Sequence, residues 1–123
     1  MTLDIDRIRW DACELEKVTE LVSRRVITEA GRMVVWSQIR KGALAPVHSH
    51  AGEQTIQVKQ GALCVTLRGA RTVVAAGETL VIPAGAAHET EALEDSVVID
   101  VRQGDAEFRS VWDGTDGSPP PRS

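Results

Sequence analysis

The stretch GALAPVHSHAGEQTIQVKQG, residues 42–61, decides how the rest of the chain reads. It opens and closes on glycine, carries His48 and His50 shortly after Pro46, and then alternates in character. Gln54, Ile56 and Val58 fall on one side, and Glu53, Thr55, Gln57 and Lys59 on the other. A period of two is that of a strand with one face buried, so the apolar face carries Gln54 and not Glu53. On a strand, histidines two positions apart present both imidazoles to the same face and can approach one ion together. A carboxamide buried among aliphatic groups needs a partner, and a metal ion is one.

The same pattern extends outward. From Leu21 onward, short runs rich in Val, Ile, Thr and Leu are broken by Gly or Pro at intervals that mark an all-β sandwich or barrel. Strands are expected near 21–28, 32–40, 44–49, 54–59, 62–68, 71–76, 79–82, 87–93, 96–102 and 107–112. The breaks at Gly31, Gly42, Gly61, Gly69, Gly77 and Gly85 suit chain reversals with positive φ. No long amphipathic helix fits. In DACELEKVTE, Asp11 followed by Glu14 predicts one capped helical turn. Residues 1–20 read as an N-terminal segment, 21–112 as the barrel and 113–123 as a flexible tail, because DGTDGSPPPRS has no apolar group able to offset its ordering entropy.

At 123 residues the chain suits one domain with its own core. A net charge of −4 with scattered arginines argues against nucleic acid as a partner, since phosphate binding needs a clustered basic surface. Arg24 and Arg25, the adjacent basic pair, read as a solvated edge. No apolar run approaches the length of about 18 residues that a membrane span needs, and MTLDIDRIRW lacks the form of a secretory signal. The expectation is a cytoplasmic protein with no membrane partner. Cys13 and Cys64 are then free thiols, Cys64 buried in ALCVTL.

The third histidine behaves as the first two do. In AHETEAL, residues 87–93, His88, Thr90 and Ala92 face away from Glu89 and Glu91, so His88 also points inward. Three imidazoles and one carboxamide oxygen suit one divalent ion (Fe, Mn, Ni, Co or Zn) with positions left for water or substrate. The competing reading is a set of satisfied core polar residues. Trp36, on the face of Val34 and Gln38, reads as core, whereas Trp10, Phe108 and Trp112 flank the barrel and suit a cover for its open end or a dimer surface.

Taken together, GALAPVHSHAGEQTIQVKQG resembles the first cupin motif, with Gln54 where the family usually has Glu. The stretch GETLVIPAGAAHETEA, residues 77–92, resembles the second, with Ala92 replacing its final Asn. Residues 62–76 form the short spacer between the two. The resemblance covers roughly residues 20–103 and implies a double-stranded β-helix, or jelly roll, with a metal held inside by His48, His50, Gln54 and His88. It also implies a homodimer, as small cupins often pair through edge strands.

Within the cupins, VSRRVI, PVHSHAGEQ and VIPAGAAHETEALEDSVVIDV look like the pectin-degradation cupins that act on unsaturated uronates. In those proteins an Asp on the last long strand is catalytic, and Asp100 matches it. Asp100 shares a face of SVVIDVRQ with Val98 and Arg102, where a carboxylate is costly unless paired or functional. Either it pairs with Arg102 or Arg109 for stability, or it acts as general acid/base on a metal-bound substrate. The sequence departs from those relatives: Arg102 stands where they have an aromatic, and Ala106 where they have an Arg that Arg109 could replace. The chain has no Tyr, so cupin lyase chemistry based on a tyrosine phenolate is excluded.

These readings imply a small, anionic substrate and a metal-dependent isomerase, tautomerase, lyase or cyclase acting on a hydroxy-carbonyl or uronate-like compound. An Fe(II)-dependent dioxygenase and a non-catalytic small-molecule-binding cupin are the alternatives.

Overall fold

The computed structural model describes residues 8–29, 31–103 and 112. Its ten strands are β1 (Glu16–Lys17), β2 (Val22–Glu29), β3 (Arg32–Ile39), β4 (Leu44–His48), β5 (Gln54–Gln60), β6 (Ala62–Leu67), β7 (Ala70–Ala75), β8 (Thr79–Ile82), β9 (His88–Ala92) and β10 (Ser96–Gln103). They form a six-stranded sheet in the order β1-β2-β3-β10-β5-β8 and a four-stranded sheet in the order β4-β9-β6-β7. Every pairing is antiparallel. The fold is all-β, as the strand pattern predicts, and is the jelly roll that the resemblance to the cupin motifs implies; the expected strands from 21 to 102 appear within a residue or two of their places. The expected strand at 107–112, the tail 113–123, Phe108 and Arg109 lie outside the described residues apart from Trp112, which sits in a bend.

Alternation explains the core. From the six-stranded sheet Val22, Ile39, Ile56, Val58, Ile82 and Val98 point inward, and Leu63, Val65, Val74 and Ala92 meet them from the other sheet. Eight of these are at most 2% exposed, and burying a Val, Leu or Ile side chain is worth about 1.5–3 kcal/mol. Gly61, at φ 84°, closes the β5–β6 connection so tightly that a Cβ there would lie 2.3 Å from Ser96 Oγ. Only glycine combines that backbone with that approach.

Three expectations are corrected. The helical turn at Asp11 is a short 3₁₀ turn, Trp10–Ala12, whose preceding Arg9 offers no side-chain cap, and Glu16–Lys17 leaves the helical path to pair with β2. Arg24 and Arg25 are not a solvated edge. Arg24 pairs with Glu16, while Arg25 donates to the carbonyls of Trp10 and Cys13 and so pins the N-terminal segment to the sheet. Trp36 lies outside the core cluster, half-buried on the opposite face of β3, with the Arg25 guanidinium 5.2 Å from its ring centre in a cation–π contact. Cys13 and Cys64 are free, Cys64 being buried as expected.

A candidate metal centre in the barrel

Pro46 sets the geometry of the first two histidines. Leu44 and Ala45 pair with Glu91 and Thr90, but the register then slips by one, so that His48 rather than Val47 faces His88. This is a β-bulge, one of the few places in a sheet that accommodates proline. The extra residue reverses the alternation, leaving Val47 66% exposed and turning His48 inward. His50 lies beyond the end of β4, so a shared strand face does not account for its position. Instead the chain turns back and the Gly85 N–H donates to the His50 carbonyl at 2.8 Å, tying the first motif to the second.

The three rings converge. Ring centres of His48 lie 4.8 Å from those of His50 and 4.3 Å from those of His88, and His50 and His88 are 5.5 Å apart. One nitrogen from each, all within 4.8 Å of one another, could serve a single metal ion. Backbone carbonyls orient two of the rings: His48 Nδ1 lies 2.6 Å from the Pro46 oxygen and His88 Nδ1 2.9 Å from the Ala86 oxygen. Donation from Nδ1 leaves Nε2 with its lone pair, the tautomer that metal-ligating histidines take. The Nε2 of His88 is buried and makes no hydrogen bond, and that of His50 is buried alongside.

Gln54 opens β5 at 4% exposure on the inward face, while Glu53 is exposed, as the alternation predicts. Its Nε2 donates to Asp100 Oδ1 at 2.7 Å, and its Oε1 is buried without a hydrogen bond. A carboxylate accepts an N–H, so this bond fixes which way the amide faces. The buried acceptors left over on Gln54 and His88 are what a cation would satisfy, and the donor set fits a borderline divalent ion.

Electrostatics agree with that donor set. Burial lowers the histidine pKa values, and the nearby Arg102 charge adds to the effect: His48 is pushed down to about 4 and His50 to about 3, with His88 lowered as well. All three imidazoles are neutral at pH 7. Burial raises the Asp100 carboxyl, opposed by Arg102, by the Gln54 hydrogen bond and by His88. An Asp100–Arg102 ion pair, one of the alternatives read from the sequence, is absent from the described residues, whose ion pairs lie elsewhere. Both side chains face the same cavity, about 20 Å³ in size and lined also by Ile56, Leu63, Thr90 and Trp112. That is room for about one water. Thr90 stands on the inward face that its alternation with His88 predicts. A roomier groove of about 210 Å³ runs past Glu20, Gln38 and Asp95 at the opposite end of β3 and β10, but no histidine reaches it.

Residues 35–102, from the middle of β3 to Arg102, match the cupin domain. The chain is a cupin. Among solved structures this cupin is similar to KdgF from Halomonas sp., at 28% identity and a TM-score of 0.72 over 79% of this chain and 91% of that one. It is also similar to an RmlC-like cupin from Shewanella frigidimarina, at 24% identity and a TM-score of 0.73 over 79% and 88% of the two chains. A third likeness is to the oxalate decarboxylase of Bacillus subtilis, at 19% identity and a TM-score of 0.71, covering 85% of this cupin and 31% of that enzyme. The last two bear on the fold alone. No curated protein matches the chain. No helix among the described residues is long and apolar enough to cross a membrane.

Proposed function

We propose that this cupin is a metal-dependent enzyme acting without redox chemistry on a small hydroxy-carbonyl or uronate-like substrate, as an isomerase, tautomerase, lyase or cyclase. The observation that carries the reading is the Gln54–Asp100 hydrogen bond, which leaves Gln54 Oε1 as a buried acceptor on a residue that lines the same cavity as His48 and His88. His48, His50, His88 and Gln54 would hold one divalent ion. Bound there, the ion would supply Lewis-acid polarisation of a substrate oxygen, and a neutral ligand set would leave its full charge for that purpose.

Asp100 is the proton carrier in this reading. Burial raises its carboxyl above the ordinary carboxylate value, and the amide of Gln54 holds one of its oxygens in place. The leucine- and valine-lined wall keeps bulk water from competing for that proton. The likeness to pectin-degradation cupins around HSHAGEQ and ALEDSVVIDV supports an anionic sugar-acid type of substrate.

Two measurements test it. Elemental analysis should find about one metal per chain in the wild type and in Glu53→Ala, and a clear loss in Gln54→Ala. The reverse pattern would make Glu53 the ligand. Asp100→Ala should abolish turnover while metal stays bound, and retained turnover would sink the proton-carrier role. Full activity under anaerobic conditions with Zn, Mn or Ni would exclude the Fe(II) dioxygenase alternative.

A further inference from the structure

Arg102 stands on the inward face of β10, opposite Gln54 in register and two positions beyond Asp100. It is 6% exposed, and its Nε and Nη1 are buried without a hydrogen bond. None of the ion pairs among the described residues, Arg9–Asp11, Lys17–Glu20 and Arg24–Glu16, includes it. A guanidinium keeps its charge under all ordinary conditions, so burying it with N–H groups unmatched is costly unless an anion joins it. Asp100 does not fill that role, because its hydrogen bond goes to Gln54 and it forms no ion pair with Arg102. The other cavity-lining groups are imidazoles, the Gln54 amide, the Thr90 hydroxyl and apolar side chains, none of which supplies negative charge.

We propose that Arg102 binds the carboxylate of a small hydroxy or keto acid, placing the acid's second oxygen toward the three imidazoles. Arg102 lines the same cavity as His48, Gln54, His88 and Asp100, so one ligand reaches all of them. A planar carboxylate matches the planar edge of a guanidinium with two parallel hydrogen bonds. Because Arg102 sits on a strand held between β3 and β5, the group is positioned before any ligand arrives. The inference rests on the metal-centre reading and adds to it the group that receives the substrate's carboxylate, Arg102.

The test uses the full chain loaded with Ni(II) and isothermal calorimetry. Probes are lactate and galacturonate, their neutral counterparts lactamide and galactose, and inorganic phosphate. Each acid should bind at least about tenfold more tightly than its neutral counterpart, and Arg102→Gln should lose about tenfold to a hundredfold of the acid affinity with metal content unchanged. Arg102→Lys should recover part of it. Lactamide binding as tightly as lactate, phosphate binding more tightly than either acid, or Arg102→Gln with acid affinity intact would overturn the inference. The acid-against-amide comparison needs no variant, so it stands even where Arg102→Gln fails to fold. Nickel bound without acid preference defeats this inference alone. Acid preference that depends on Arg102 in a chain that binds no nickel supports the carboxylate site and defeats the metal reading.

Discussion

The two ends of the Gln54 amide differ: the N–H side holds Asp100, and the oxygen is left buried without a hydrogen bond. Asp100→Asn keeps an acceptor for that N–H, whereas Asp100→Leu removes it, so the Leu variant should lose metal affinity that the Asn variant retains. Competition with a chromogenic chelator measures the difference. The histidines give a second prediction. Burial holds His48 at about 4 and His50 at about 3, while in the unfolded chain both titrate near 6.5. Between about pH 6.5 and 4 the unfolded state therefore binds more protons, and the metal-free protein loses stability as pH falls through that window. Asp100 runs the other way: with a raised folded pKa, its contribution is complete below 3.8 and is lost as pH rises through the folded value. Urea midpoints between pH 7 and 4.5 should fall on acidification, and less so in His50→Asn. At Arg102, Met should raise the metal-free thermal midpoint by about 2–5 °C, because a buried charge without a hydrogen-bonded partner is replaced by an apolar group of similar volume.

At the scale of elements, the bulge in β4 is what delivers His48 to the cavity. Deleting Val47 restores plain alternation and turns His48 outward, because a shift of one residue sends a strand's side chains to the other face. The deletion variant should keep its β-type circular dichroism and lose its metal by elemental analysis. Beside it, the loop from His50 to Gln54 is held against the end of β10, where the Gln103 N–H donates to the Glu53 carbonyl at 3.0 Å. A Cβ on Gly52 would lie 1.7 Å from the Gln103 carbonyl oxygen, and backbone cannot step aside as a flexible side chain does. Gly52→Ala should cost about 2 kcal/mol or more in urea unfolding and weaken metal binding with it. Gly52 thus serves close approach between its loop and the end of β10.

For the whole molecule, the two sheets close over a centre whose proposed ligands come from β4, β5, β9 and the loop after β4. An ion bound to all of them stabilises only the folded chain, by about 2.7 kcal/mol when free metal is a hundredfold above its dissociation constant. Dialysis against a chelator should lower the thermal midpoint by several degrees, and Ni(II) or Zn(II) should restore it. His88→Ala should show neither response.

Much of this was legible in residue order. Period-two alternation and glycine-marked reversals are local properties, so the strands from 21 to 102 and the inward turn of Gln54 and His88 could be read directly from the chain, while the jelly roll followed from the resemblance to the two cupin motifs. Local rules also misled where a longer-range contact won: β2 drew Glu16–Lys17 out of a helical turn, and Arg25 covers Trp36 on the outer face. Tertiary structure alone decided the rest. The slip at Pro46, the tie from Gly85 to His50, and the bond between Gln54 and Asp100 across 46 positions depend on how two sheets meet. Alternation sets which way a side chain points. Which buried groups then find partners, as Asp100 does in Gln54 and Arg102 does not among the described residues, is set by distance across the barrel.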